Sequence, residues 1–258
     1  MIATMFGIKT VIVAGGVDLA KNASLGYGIW LSRWRANLVR YALRHADRVL
    51  VGDVTMKKDA MRLAEYSGEN IFYVPPAFDT EFWKPLGGKQ LHVLTVAVVR
   101  DHRTLRRKGI DVLIEAARSL PQFMFIVVGV DAQCVFDLRP PENMTFHPPI
   151  PREALLSFYR QAKIYCQPSV HEAVCYTLRE AMLCECVPVA SDIGGMTTAV
   201  SGIGLLIPAG NKEALIAALL KAVNMSDEVG AKARARIVAL YAREKRETEL
   251  VRIVDNLI

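Results

Sequence analysis

Along the second half of the chain, short runs of apolar and β-branched residues alternate with longer segments whose apolar positions recur at helical spacing. That alternation predicts βαβ units around a parallel sheet. The predicted strands are 93–99, 123–130, 164–167, 187–190 and 205–207, with helices over 108–119, 152–162 and 176–184 between them. Each strand is apolar throughout, as expected where helices cover both faces of a sheet. Three further helices, over 212–223, 227–241 and 244–256, close the chain. The first 85 residues follow the same style less regularly, with strands at 9–13, 49–51 and 71–74 and helices at 31–45 and 55–66. A run containing Pro75, Pro76 and Pro85 interrupts the pattern and marks the expected boundary between a domain of residues 1–85 and one of 86–258.

Composition supports a folded α/β protein. The chain has 258 residues, 52% apolar and 22% charged, enough to build a substantial core. No stretch reaches the roughly 18 consecutive apolar residues of a membrane span, and no secretory signal opens the sequence, so a cytoplasmic protein is expected. Five cysteines without paired CxxC spacing suggest neither a disulfide framework nor a metal site, and buried free thiols suffice.

A net charge of +6 changes the picture by pointing to an anionic partner: a phosphate-bearing small molecule or an acidic membrane surface. Nucleic acid is the weakest reading, because the basic residues are interleaved with Asp and Glu and no binding module is present. A helix around Arg33, Arg35, Arg40, Arg44 and Arg48, with Trp30 and Trp34, fits either an ordinary amphipathic surface helix or a peripheral contact with anionic lipid. An open sheet edge in the short N-terminal region would leave room for homo-oligomer pairing.

Ligands of open α/β sheets bind beyond the carboxyl ends of the strands, so the segments after each strand are the candidates for chemistry. The segment from Arg100 to Gly109 carries Arg100, Arg103, Arg106, Arg107 and Lys108, suited to a diphosphate or to a solvated basic loop. The segment 169–180 holds Glu172 and Glu180, about 12 Å apart along a helix axis. Two carboxylates at that spacing suit hydroxyls at opposite ends of a ligand, with the amides of Ala173, Val174 and Cys175 offered to phosphate between them. Taken alone, they also read as a helix-terminal charge and a surface i,i+4 partner. After the strand at 187–190, Gly194 and Gly195 would permit close backbone approach to a ligand or a turn with positive φ.

Together these residues resemble glycosyltransferase family 4, the retaining GT-B enzymes that use nucleotide-diphosphate sugars. The resemblance lies in order and spacing: the strand followed by Arg100 and Lys108-Gly109, Glu172 and Glu180 separated by seven residues, then Glu180-Ala181-Met182, Val187-Pro188-Val189 and the glycine pair. Asp79 and Pro85 fall in a segment similar to the family's hinge. The chain departs from the pattern at Val99, Ala173, Glu185 and Thr197-Thr198.

The resemblance implies a GT-B-like fold, with a Rossmann-like donor domain and a partial N-terminal acceptor-side domain. It also implies transfer of a hexose-type sugar from a nucleotide sugar to an acceptor hydroxyl, with no metal or other cofactor. Arg100 and Lys108 would hold the diphosphate, Glu172 the transferred sugar and Glu180 the ribose. Arg100, Lys108 and Glu172 are the expected catalytic residues. Gly15, Gly16 and Asp18 stand where the family places acceptor-side residues, although Asp18 also suits a turn. A non-catalytic nucleotide-sugar-binding module, or part of a longer enzyme, is the alternative; a nucleotide-sugar epimerase of the same fold is a second.

Overall fold

The computed structural model describes residues 6–136 and 138–257. They divide into two compact units, the smaller formed by residues of 1–77 and 241–258, the larger by Phe78–Leu240.

In the smaller unit, β1 (Val11–Val13), α1 (Arg33–His45), β2 (Arg48–Val51), α2 (Val54–Ala64) and β3 (Ile71–Tyr73) follow one another, and the strands pair in parallel in the order β1-β2-β3. Helix α1 buries Ala36 and Leu43 and exposes Trp34, Leu38 and Tyr41. Helix α2 begins where Asp53 accepts hydrogen bonds from the Thr55 amide and hydroxyl, and it stops at Glu65, whose left-handed backbone cannot continue a helix. Strand β1 lies at the sheet edge with Val11 and Val13 exposed.

The larger unit is a six-stranded, wholly parallel sheet. Its elements are β4 (Gln90–Val99), α3 (His102–Arg107), α4 (Ile110–Ser119), β5 (Met124–Val130), α5 (Ala132–Phe136), β6 (Met144–His147), α6 (Leu155–Gln161), β7 (Ala162–Gln167), α7 (Tyr176–Leu183), β8 (Val187–Ser191), α8 (Gly194–Val200), β9 (Leu205–Ile207), α9 (Lys212–Ala222) and α10 (Asp227–Tyr241). The strand order β6-β5-β4-β7-β8-β9 is the doubly wound one, reversing direction between β4 and β7. The middle strands are apolar along almost their whole length because both faces are covered: Phe125, Val127, Ile164 and Val189 are buried with Ile110, Leu113 and Leu219 from the helices.

Finally α11 (Arg243–Asp255) returns to the smaller unit, where Ile253 joins Leu50 and Val74 in a small apolar cluster. Arg246 donates to the Pro75 carbonyl at 2.8 Å, and Arg48 to that of Asn256 at 3.1 Å. Residues 241–258, expected with the second domain, therefore belong with the first. The division falls at 77/78 rather than 85/86, because Phe78 and Trp83 are buried in the larger unit, Trp83 edge-on to Tyr159 at 5.5 Å.

Three other expectations change. The helix expected over 108–119 is two helices broken at Lys108-Gly109. The one expected over 152–162 is a 3-10 turn (Arg152–Ala154) plus α6, with Ala162 already in β7. Strand β6, flanked by Pro140, Pro141, Pro148 and Pro149, reads as loop in the sequence yet pairs in register with β5, Phe125 opposite Met144.

Candidate functional site

The site is built where three loops meet at the carboxyl ends of β4, β7 and β8. After β4, Asp101 caps α3 by accepting from the Thr104 amide at 2.6 Å, and that bond holds its carboxyl below the usual aspartate range. Helix α3 takes up most of the basic segment, so those arginines are spread over a helical turn rather than gathered in a loop. The chain then turns through Gly109 at φ 68°, where a Cβ would lie 1.9 Å from the Pro168 carbonyl oxygen. Glycine is therefore required by conformation and by contact, and the β4 loop is pressed against the β7 loop. The Val170 amide donates to the Arg107 carbonyl at 2.8 Å and fixes the same junction.

After β7, a polar network anchors the loop from below. Gln167 accepts from the Tyr165 hydroxyl at 2.8 Å and donates to the Ser169 hydroxyl at 2.8 Å, with all three residues buried. The loop then carries Glu172, whose carboxylate lies 2.5 Å from Lys108 Nζ; the two side chains are 13% and 16% exposed. Lys108 and Glu172, 64 positions apart, thus form a half-enclosed ion pair at the sheet's point of reversal. Among the described residues, no acceptor meets the amides of Ala173, Val174 and Cys175, the approach to the N-terminus of α7. Cys175 itself has a left-handed backbone, and burial, with Glu172 second, pushes its thiol up to about 11, so it stays a neutral thiol.

The β8 loop docks on this one. Gly194, at φ 51°, would place a Cβ 2.2 Å from the Glu172 carbonyl oxygen, and the Gly195 amide donates to the Ala173 carbonyl at 2.6 Å. Of the two expectations for the glycine pair, the structure shows the positive-φ turn at Gly194, and the pair brings two loops together. Arg179, fully buried on α7, donates to the Cys175 carbonyl at 3.1 Å and to the Gly195 carbonyl at 2.8 Å, joining the same two loops from beneath.

Glu180 is 2% exposed, so its reading as a surface helix partner does not hold. Its Oε1 accepts from Arg152 Nε at 2.8 Å and Nη2 at 2.5 Å, and its Oε2 from the Tyr159 hydroxyl at 3.1 Å. Burial raises the Tyr159 phenol well above its ordinary value, which keeps it a donor. Sequence reasoning passed over Arg152, Tyr159 and Arg179.

Arg100 is exposed and pairs with no acid among the described residues. Of the acceptor-side residues, Asp18 holds a turn by accepting from the Gly15 amide at 2.8 Å, and its carbonyl accepts from Trp30 Nε1 at 2.7 Å; Gly16 lies inside that turn. On α1, Arg40 and Arg44 donate to carbonyls at the end of α2, so part of the basic character of this helix is structural. No helix among the described residues is long and apolar enough to cross a membrane, and all five cysteines are free and buried.

The larger unit is thus a doubly wound α/β unit with an ion pair at its switch point, and the chain has the fold of GT-B glycosyltransferases. Residues 94–241 match the family described as Glycosyl transferases group 1, and the chain belongs to that family.

Among curated proteins, it is 27% identical over 273 residues to an alpha-maltose-1-phosphate synthase of Mycolicibacterium smegmatis, covering 93% of this chain and 69% of that protein. It is 27% identical over 183 residues to a D-inositol 3-phosphate glycosyltransferase of Mycobacteroides abscessus, covering 63% of this chain but only 41% of that protein, so it spans less than half of that relative's length. Among solved structures, sucrose-phosphate synthase from Thermosynechococcus elongatus superposes with a TM-score of 0.83 at 20% identity, covering 99% of this chain and 69% of that one. Anabaena HepE in complex with UDP and glucose superposes at 0.79 with 17% identity, covering 99% and 73%.

Proposed function

We propose that this chain carries the donor side of a retaining glycosyltransferase of family 4, moving a hexose-type sugar from a nucleotide diphosphate to an acceptor hydroxyl. The observation that carries the reading is the Lys108–Glu172 pair beside the amides of Ala173, Val174 and Cys175 at the point where the strand order reverses. A cation and backbone amides at one place suit a diphosphate. When the sugar leaves, negative charge grows on that diphosphate, and Lys108 with the amides would stabilise it, with Arg100 at the end of β4 as a second cation. The adjacent Glu172 would accept from sugar hydroxyls, and the buried carboxylate of Glu180 from the ribose. The acceptor hydroxyl is the nucleophile. The UDP and glucose bound to HepE favour a donor of this chemical type.

Calorimetric titration with UDP, GDP and their sugar conjugates tests the reading. One nucleotide family should bind, and Glu180→Ala and Lys108→Ala should each weaken it by at least about tenfold, the worth of one charged hydrogen bond. Binding unchanged in both variants, or absent throughout, would remove the donor site. Product analysis with the bound conjugate then separates transfer from epimerisation and from binding without turnover.

A further inference from the structure

A carboxylate offers about four lone-pair sites, two on each oxygen. At Glu180, three are taken: both on Oε1 by the Arg152 fork and one on Oε2 by Tyr159. A ribose presents two adjacent hydroxyls and needs two sites, so one of the resident donors has to give way. Tyr159 is fully buried and wedged edge-on between Trp83 at 5.5 Å and Tyr165 at 5.9 Å, so it is fixed. Arg152 is different in each respect. Its side chain is 57% exposed, it starts a short 3-10 turn, and its guanidinium lies 5.3 Å from the centre of the Trp83 ring. On releasing Glu180 it keeps its hydration and can rest on that aromatic face.

The geometry points to Arg152 as a specificity gate over the ribose site: it saturates Glu180 Oε1 in the nucleotide-free protein and must surrender at least one bond to admit a cis-diol. The inference rests on the donor-site reading above and names a residue that reading does not include. Its consequence is unequal treatment of ribose and deoxyribose. A 2′-deoxynucleotide has one hydroxyl for Glu180 and fits the single open site on Oε2 without disturbing Arg152. A ribonucleotide must displace the arginine to use both hydroxyls, so the gate cancels part of what the second hydroxyl gains. Removing the fork should return it.

The test is calorimetry of UDP and 2′-deoxy-UDP, and of GDP and its 2′-deoxy form, with the intact chain, Arg152→Gln and Arg152→Lys, thermal unfolding confirming that each is folded. Arg152→Gln should bind the ribonucleotide roughly three- to tenfold more tightly and raise the preference for ribose over deoxyribose by a similar factor, with Arg152→Lys between. A merely structural arginine would weaken both nucleotides together and leave that ratio alone. Equal or weaker ribonucleotide binding by Arg152→Gln, or an unchanged ratio, overturns the gate while the donor site stands. Folded protein that binds no nucleotide, with or without the arginine, overturns the donor site and the gate with it.

Discussion

Each compact unit uses an arginine to bond carbonyls at a helix end, in opposite surroundings. In the larger unit, Arg179 is fully buried and joins the Cys175 carbonyl, at the start of its own helix, to that of Gly195 on a neighbouring loop. In the smaller unit, Arg44 is exposed and reaches across from α1 to the carbonyls of Ala64 and Glu65 at the end of α2, at 2.9 and 2.7 Å. The bonds are alike in length; the medium differs. A charge taken out of water is tolerated only where its hydrogen bonds are made, and cutting those bonds strands the partners. The buried arginine also sits beneath the loops that carry Glu172 and the free amides, so the larger unit keeps a buried charge under its candidate site.

The largest expected effect follows from that contrast. Arg179→Met should destabilise the larger unit by roughly 3 kcal/mol, since two bonds from a buried charged donor that tie the start of α7 to the neighbouring loop are lost. Arg179→Lys should recover part of this, because an ammonium still reaches one carbonyl. Native-state hydrogen exchange reads the two units separately, so the loss should appear in amides of β7 and β8 and spare those of β2. Equal loss in β2 would mean that the units do not respond separately, and the comparison would fail.

Arg44→Ala sharpens the comparison from the other side. The α2 carbonyls it leaves behind can turn to water, so the expected cost is about 1 kcal/mol, confined to α2 and β3. A cost matching that of Arg179→Met would show that these exposed bonds are worth as much as the buried ones.

The difference between the units also explains what could be read in the sequence. Alternation and strand apolarity revealed five of the larger unit's six strands, because helices covering both faces demand continuous apolar runs. Strand β6 escaped because it is a short edge strand among prolines. At the site, Lys108, Glu172 and Glu180 were legible as residue types at spacings, whereas their partners were not. Arg152 and Tyr159 stand 28 and 21 positions from Glu180 and carry no local signal. Arg179, next to Glu180, was passed over as well. One clue was available, in that the Arg179-Glu180 pair is embedded in the run Tyr176–Leu183, with apolar neighbours on every side of the helix. The glycine pair was legible as a close approach or a positive-φ turn, and only the fold shows which loop it meets.

The smallest effect concerns two aspartates, one in each unit, whose carboxyls are held below the usual range by backbone amides: Asp101 by Thr104 and Asp47 by Thr10, with Lys9 assisting the latter. Both groups are charged in the folded protein at a pH where the unfolded chain has begun to take up a proton. The stability they contribute is therefore full above the ordinary aspartate value and is lost as pH falls through the depressed one. Asparagine keeps the cap and removes the titration, so Asp101→Asn should change neutral-pH stability by less than about 1 kcal/mol. The same substitution should flatten the loss of α3 protection between about pH 5 and pH 3. Asp47→Asn should do the same for β1, where the Thr10 amide and hydroxyl bond the carboxylate at 2.8 and 3.2 Å. Because both carboxylates face water and are screened by salt, each profile should shift by less in about 0.5 M salt, at roughly half the Debye length of dilute buffer. A profile unmoved by either substitution would assign the acid lability to other carboxylates.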